Sequence, residues 1–194
     1  EAIVLLKNKK EICEVRWPNR PDFYDKKTRS GELMKKVASM RGDCGLRVCF
    51  DNACNYFAKG EQCKFCNIVP ARQRNRDHVV TIKEAEDIYD VVKEAIIDNP
   101  VCSHLAMTAG AANDDGLGNL PQILERLKPL LEEKHFPVVT AITATRNKEE
   151  TEYLCSTGIS SVAFNLEIWD EKLFNEICPG KTRRVGRERW IQSL

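Results

Sequence analysis

From Leu46 onward the chain alternates β-branched or apolar runs with amphipathic stretches, and that rhythm excludes most folds at once. LRVCF reads as a first strand. A helix follows with Ile82, Ala85, Ile88, Val92 and Ala95 on one face, opened by a capping box of Thr81 and Glu84. HLAMT is a second strand. Asn119 and Pro121 then start a helix whose Ile123, Leu124, Leu127, Leu130 and Leu131 recur at helical spacing. PVVTAIT is a third strand, and Asn147 with Glu150 caps a helix that stops at Gly158. SVAFNL is the fourth, followed by a last amphipathic stretch, ERWIQSL. Alternation of this kind predicts parallel strands joined by crossovers, hence an α/β fold. Four βα units are too few to close an eight-stranded barrel, so the sheet is either open or part of a barrel.

Residues 1–43 read as an N-terminal extension to a domain spanning 44–194. AIVLL and EICEVRW flank the polar turn KNKK as a hairpin, Pro18 to Asp25 is a connector, and a short helix is expected over 31–40. With 30 basic and 29 acidic residues, the chain has no global field to recruit nucleic acid or an anionic membrane. No apolar run approaches the roughly 18–20 residues that span a bilayer, and the first residues show no secretory pattern. Nine cysteines is an odd number in a chain too long for a small secreted scaffold, which predicts reduced thiols in the cytoplasm. Cys102 and Cys155 sit in apolar patterns and are expected in the core.

In parallel α/β folds, ligands gather at the carboxyl ends of the strands. The loop after the first strand, CNYFAKGEQCKFCN, carries Cys54, Cys63 and Cys66. Three thiolates suit an iron–sulfur cluster with one iron left open. Zinc competes for a C-x2-C pair, but no second pair follows, and His78, His104 and His135 are scattered. Cys44 and Cys49 stay open as a fourth ligand. After the second strand comes Thr108-Ala109-Gly110-Ala111-Ala112-Asn113, whose small side chains let a ligand approach the backbone. The fourth strand ends in Asn165-Leu166-Glu167, and strand alternation would place Asn165 and Glu167 on one face, able to bond two ribose hydroxyls. Arg183 and Arg184 follow Pro179-Gly180, where a guanidinium could clamp a carboxylate.

Taken in order, these segments resemble the radical S-adenosylmethionine (SAM) superfamily, and its biotin-synthase-like branch above all. CKFC is similar to the C-x-aromatic-C end of that family's cluster loop, MTAGAAND to its second-strand segment, FNLE to its N-L-D ribose motif, and ICPGKTRRVGRERWIQSL to its carboxylate-binding tail. The spacing departs from the usual C-x3-C-x2-C: here it is C-x8-C-x2-C, with about five residues, FAKGE, inserted. Threonines, Thr108 and Thr140, stand where biotin synthases carry auxiliary-cluster cysteines, so sulfur insertion by that route is not expected.

The resemblance implies a partial (βα)6 TIM-like barrel of which four units lie in this sequence, the missing units carrying adenine contacts and much of the substrate pocket. It implies that Cys54, Cys63 and Cys66 bind three irons of a [4Fe–4S] cluster and that SAM chelates the fourth. Gly110 and Ala111 would face the methionyl amine, Arg184 its carboxylate, Asn165 and Glu167 the ribose, and Phe65 the adenine. SAM would be cleaved to a 5′-deoxyadenosyl radical that takes hydrogen from a small-molecule substrate, with an electron donor such as ferredoxin or flavodoxin. Asn113, Asp114, Thr143, Thr145 and Arg146 are candidates for substrate contact. A non-catalytic iron–sulfur carrier and a zinc-stabilised interaction domain are the alternatives.

Overall fold

The computed structural model describes residues 3–111 and 117–194. Strands β1 (Ile3–Lys7) and β2 (Lys10–Val15) form the expected antiparallel hairpin, turning through Asn8 and Lys9 with positive φ. Its apolar side chains, Leu5, Leu6 and Ile12 among them, are exposed. The helix expected over 31–40 shrinks to one turn, α1 (Met34–Val37). Ser39–Arg41 is instead strand β3, antiparallel to β4 (Gly45–Asp51). With Phe23, Met34 and Val37 buried in the same core as the sheet, the segment from residue 22 to 41 belongs to the main body and only the hairpin lies outside that core.

Two short helices, α2 (Asn55–Ala58) and α3 (Ile68–Arg74), occupy the cysteine loop and its sequel. The rest alternates as expected: α4 (Ala85–Asp98), β5 (His104–Ala109), α5 (Leu120–Lys134), β6 (Val138–Ile142), α6 (Lys148–Ser156) and β7 (Ser161–Phe164). Helix α7 (Glu171–Ile177), a π-helical turn at Lys181–Val185 and α8 (Arg187–Gln192) close the chain. The sheet order is β3-β4-β5-β6-β7, with the last four strands parallel. This is a mixed α/β fold on a mostly parallel five-stranded sheet, with no closed barrel among the described residues. No helix among them is long and apolar enough to cross a membrane.

Alternation along each strand sorts the side chains. Leu46, Val48, Leu105, Met107 and Val138 are fully buried with Ile88 and Val91 of α4 and Leu124 and Leu127 of α5. Arg47 and Val139 on the opposite face are exposed, and Ala106 and Ala141 are only partly buried. One face is thus roofed by helices, while the other is open.

Local signals explain some of the helix ends. Asn147 Oδ1 accepts from the Glu150 amide at 2.9 Å, the expected cap, which is worth about 1 kcal/mol. Asn119 precedes α5, with proline in its first turn, and His135 in the left-handed region ends it. The Thr81–Glu84 capping box does not form. Asn52 N donates to Thr81 O at 2.8 Å and Lys83 N to Phe50 O at 2.9 Å, so residues 81–83 run extended beside the end of β4. The helix therefore starts after Glu84. Cys155 is exposed rather than in the core, because α6 buries only Leu154. Cys102 is partly buried and packs against the core, as expected.

Candidate active site

Beyond the carboxyl ends of the parallel strands lies a cavity of about 160 Å³. Cys54, Cys63, Phe65 and Cys66 enter it from the loop after β4, Gly110 and Ala111 from the end of β5, and Asn165 and Glu167 from the end of β7. Every residue expected to hold the cluster or SAM lines it except Arg184.

Backbone bonds hold the cysteine loop against β5. Gly110 N donates to Asp51 O at 2.8 Å, and Asn55 N to Ala111 O at 2.8 Å. A Cβ on Gly110 would overlap the Ala53 carbonyl and reach 3.0 Å from Cys54 Cβ, so only glycine permits this approach. The C-x2-C pair closes a turn, with Cys66 N donating to Cys63 O at 3.0 Å.

The chain's tail holds the loop from the other side. Lys64 N donates to Ile177 O and Gly180 N to Glu61 O, each at 2.9 Å, which brackets Cys63 against Cys178. A methyl on Gly180 would meet Glu61 O at 2.7 Å and the Tyr56 ring. Glu61, the last residue of the FAKGE insertion, takes Arg184 Nε at 2.8 Å and Arg183 Nη1 at 3.1 Å. Arg184, expected to clamp a ligand carboxylate, thus faces a carboxylate of the cysteine loop. The inserted residues supply that acid.

Those two guanidiniums hold the Glu61 carboxyl below its ordinary value of 4.5. A lowered folded pKa means that the stabilisation is complete above pH 4.5 and is lost as acid carries the group through its folded value. Glu61→Gln is expected to flatten the acid limb of a thermal-melt series. An unchanged acid limb would remove Glu61 as its source.

The cavity's cation is Lys181, which the sequence reading did not single out. It is buried, donates to the Asn165 carbonyl, and lies 3.7 Å from Glu167 Oε1 and 4.4 Å from the centre of the Trp190 ring. Trp190 and Tyr56 also line the wall. Among the three basic residues of KTRR, nothing local marked Lys181 as the inward one; the π-helical turn decides it.

Asn165 and Glu167 reach the cavity by a different route from strand alternation. β7 ends at Phe164, and Glu167 sits at φ 73°, a conformation that costs a non-glycine residue about 1 kcal/mol or more. Leu166, buried between them, anchors the turn. Of the substrate candidates, Thr143 lines the cavity. Thr145 is buried and bonded to Thr151 and Ser193, and Arg146 pairs with Glu150. Asn113 and Asp114 lie outside the described residues.

The three loop thiols share one wall, yet among the described residues no three His, Cys, Asp or Glu side chains converge closely enough to hold a metal ion. Burial, with the Cys178 thiol beside it, pushes the Cys63 thiol up to about 12. The free chain therefore keeps Cys63 protonated, and a soft metal would displace that proton as it drew the sulfurs together. Cys44 and Cys49 do not line the cavity, nor do the three histidines.

Fold and cavity together define an α/β protein with a thiol-lined pocket at the carboxyl ends of its parallel strands. No family model matches the chain, and no curated protein or solved structure does either.

Proposed function

We propose that the chain is a radical SAM enzyme of the partial-barrel type, with Cys54, Cys63 and Cys66 as ligands of a [4Fe–4S] cluster. One observation carries the reading: the thiols, the Gly110–Ala111 backbone and the Asn165–Glu167 turn, distant in sequence, line the same cavity. The sequential strand order β4-β5-β6-β7 with one open face also suits a curved partial barrel.

The donor set fits the group. Three soft thiolates suit iron–sulfur ligation, and a fourth position stays free for a small chelating ligand. The bound cluster supplies the electron that cleaves the SAM sulfonium, giving a radical able to take hydrogen from a substrate. Gly110 exposes backbone for the methionyl amine. Lys181, held by the Asn165 carbonyl, Glu167 and the Trp190 ring, offers the positive charge for the methionyl carboxylate in place of Arg184. The Glu167 carboxylate accepts from one ribose hydroxyl and the Asn165 amide donates to or accepts from the other, and Phe65, more than half exposed, offers a face to the adenine. The tail that clasps the loop shields the Cys63 side from water.

Anaerobic reconstitution with iron and sulfide, then reduction and addition of SAM, is expected to change the electron paramagnetic spectrum and to yield 5′-deoxyadenosine. A cluster whose spectrum ignores SAM would favour a carrier, and zinc in place of iron would favour an interaction domain. Glu167→Ala is expected to weaken SAM binding roughly tenfold or more with iron content unchanged, since a lost charged hydrogen bond costs about 1.5–3 kcal/mol. Loss of iron from that variant would make Glu167 structural instead.

A further inference from the structure

A second cavity, of about 270 Å³, opens beside β4. Lys35 and Lys36 of α1, Arg47 of β4 and Lys83 line it, and no carboxylate among the described residues does. Lys83 is 2% exposed, and its Nζ donates to the carbonyls of Cys49 at 2.5 Å and Val80 at 2.8 Å. Both acceptors are neutral. The nearby acid, Asp51, has Oδ1 committed to the Ala53 amide at 2.7 Å. Burial outweighs the pull of the Cys49 thiol and Asp51 and lowers the Lys83 ammonium to about 8. Arg47 is exposed on the open sheet face with no acidic partner among the described residues, and Lys36 has only a loose pairing with Glu32 at 3.6 Å. A wall of cations without acids raises the local concentration of anions and selects those with several acceptor oxygens. Asn52, which also lines it, stands two residues before Cys54, so the cavity lies along the strand that leads to the thiols.

We propose that this cavity binds the phosphoryl group of a phosphorylated small molecule, with Arg47, Lys36 and Lys83 as its cations. Calling that molecule the substrate rests on the enzyme reading above; the binding itself does not. A phosphoryl group there leaves the rest of the ligand to extend along β4 towards the thiol-lined cavity, roughly 13 Å being spanned between Arg47 and Asp51.

The test is calorimetric titration of the full chain, free of iron and SAM, with inorganic phosphate, glycerol phosphate and acetate at low ionic strength. Expected are saturable binding of glycerol phosphate, at least tenfold weaker binding of acetate, and a tenfold or greater loss in Arg47→Gln. Lys36→Gln serves where Lys83→Met fails to fold. Binding that is absent, or unchanged in both Arg47→Gln and Lys36→Gln, overturns the site. Inorganic phosphate binding as tightly as glycerol phosphate overturns the phosphorylated-molecule assignment and leaves a free-phosphate site. Because no cluster is present, failure here is distinct from failure to form 5′-deoxyadenosine.

Discussion

Cys63→Ala is expected to abolish 5′-deoxyadenosine formation and to lower the iron bound per chain after anaerobic reconstitution. Cys63 is the thiol the protein positions most firmly. It is 8% exposed, bracketed by the Lys64–Ile177 and Gly180–Glu61 backbone bonds, and turned back onto Cys66. A ligand lost from such a place cannot be replaced by water without unpacking the tail. The effect should therefore exceed the 10–100-fold that losing an outer partner of a metal ligand costs. Cys102→Ala, half-buried at the far end of β5 and away from the cavity, is the control and should retain both iron and product. Equal product from Cys63→Ala and the parent chain would end the enzyme reading. Cys178→Ala separates two cases, because Cys178 touches Cys63 without lining the cavity. Iron retained in that variant fits three protein ligands. Iron lost as in Cys63→Ala would mean a closed four-thiol site.

Gly110→Ala should be severely damaging, its added methyl meeting a tighter contact than one on Gly180 would. The added carbon would overlap the Ala53 carbonyl, and both partners are backbone, so no side chain can swing aside. Overpacking of this kind costs about 1–3 kcal/mol and sometimes more. In a chain of this length each kcal/mol is worth about 2–4 °C, so the melting temperature should fall by several degrees. The displaced segment is the one carrying Cys54, through the Gly110–Asp51 and Asn55–Ala111 bonds, so iron binding should fall with it. A variant that melts with the parent and loads iron normally would show that the close approach is not required.

The four parallel strands were readable because β-branched and apolar residues cluster in LRVCF, HLAMT, PVVTAIT and SVAF, and because polar or glycine-rich segments separate them. The cavity's lining was readable for a related reason: cysteines, small residues and an Asn-Leu-Glu turn each fall just after a strand. What escaped is long-range. Thr81 and Glu84 have capping-box spacing, but pairing with β4 wins over the local preference. The Glu61–Arg184 pair joins residues more than a hundred positions apart, and nothing near either one announces it. Lys181 is inward and Arg183 outward only because of the π-helical turn, whose wider winding no residue pattern in KTRRV betrays. Glu167 reaches the cavity wall through a left-handed turn and not through the pleat, so its placement there was expected on the wrong geometry.

The clasp between the cysteine loop and the tail orders events during synthesis. Ile177, Gly180 and Arg184 emerge from the ribosome more than a hundred residues after the last of the three cysteines. At 5–20 residues per second that gap lasts on the order of ten seconds. Throughout it the nascent loop lacks the partners that seat Cys63, and its thiols are open to stray oxidants and adventitious metals. Seating of Cys63 therefore waits until the tail has emerged.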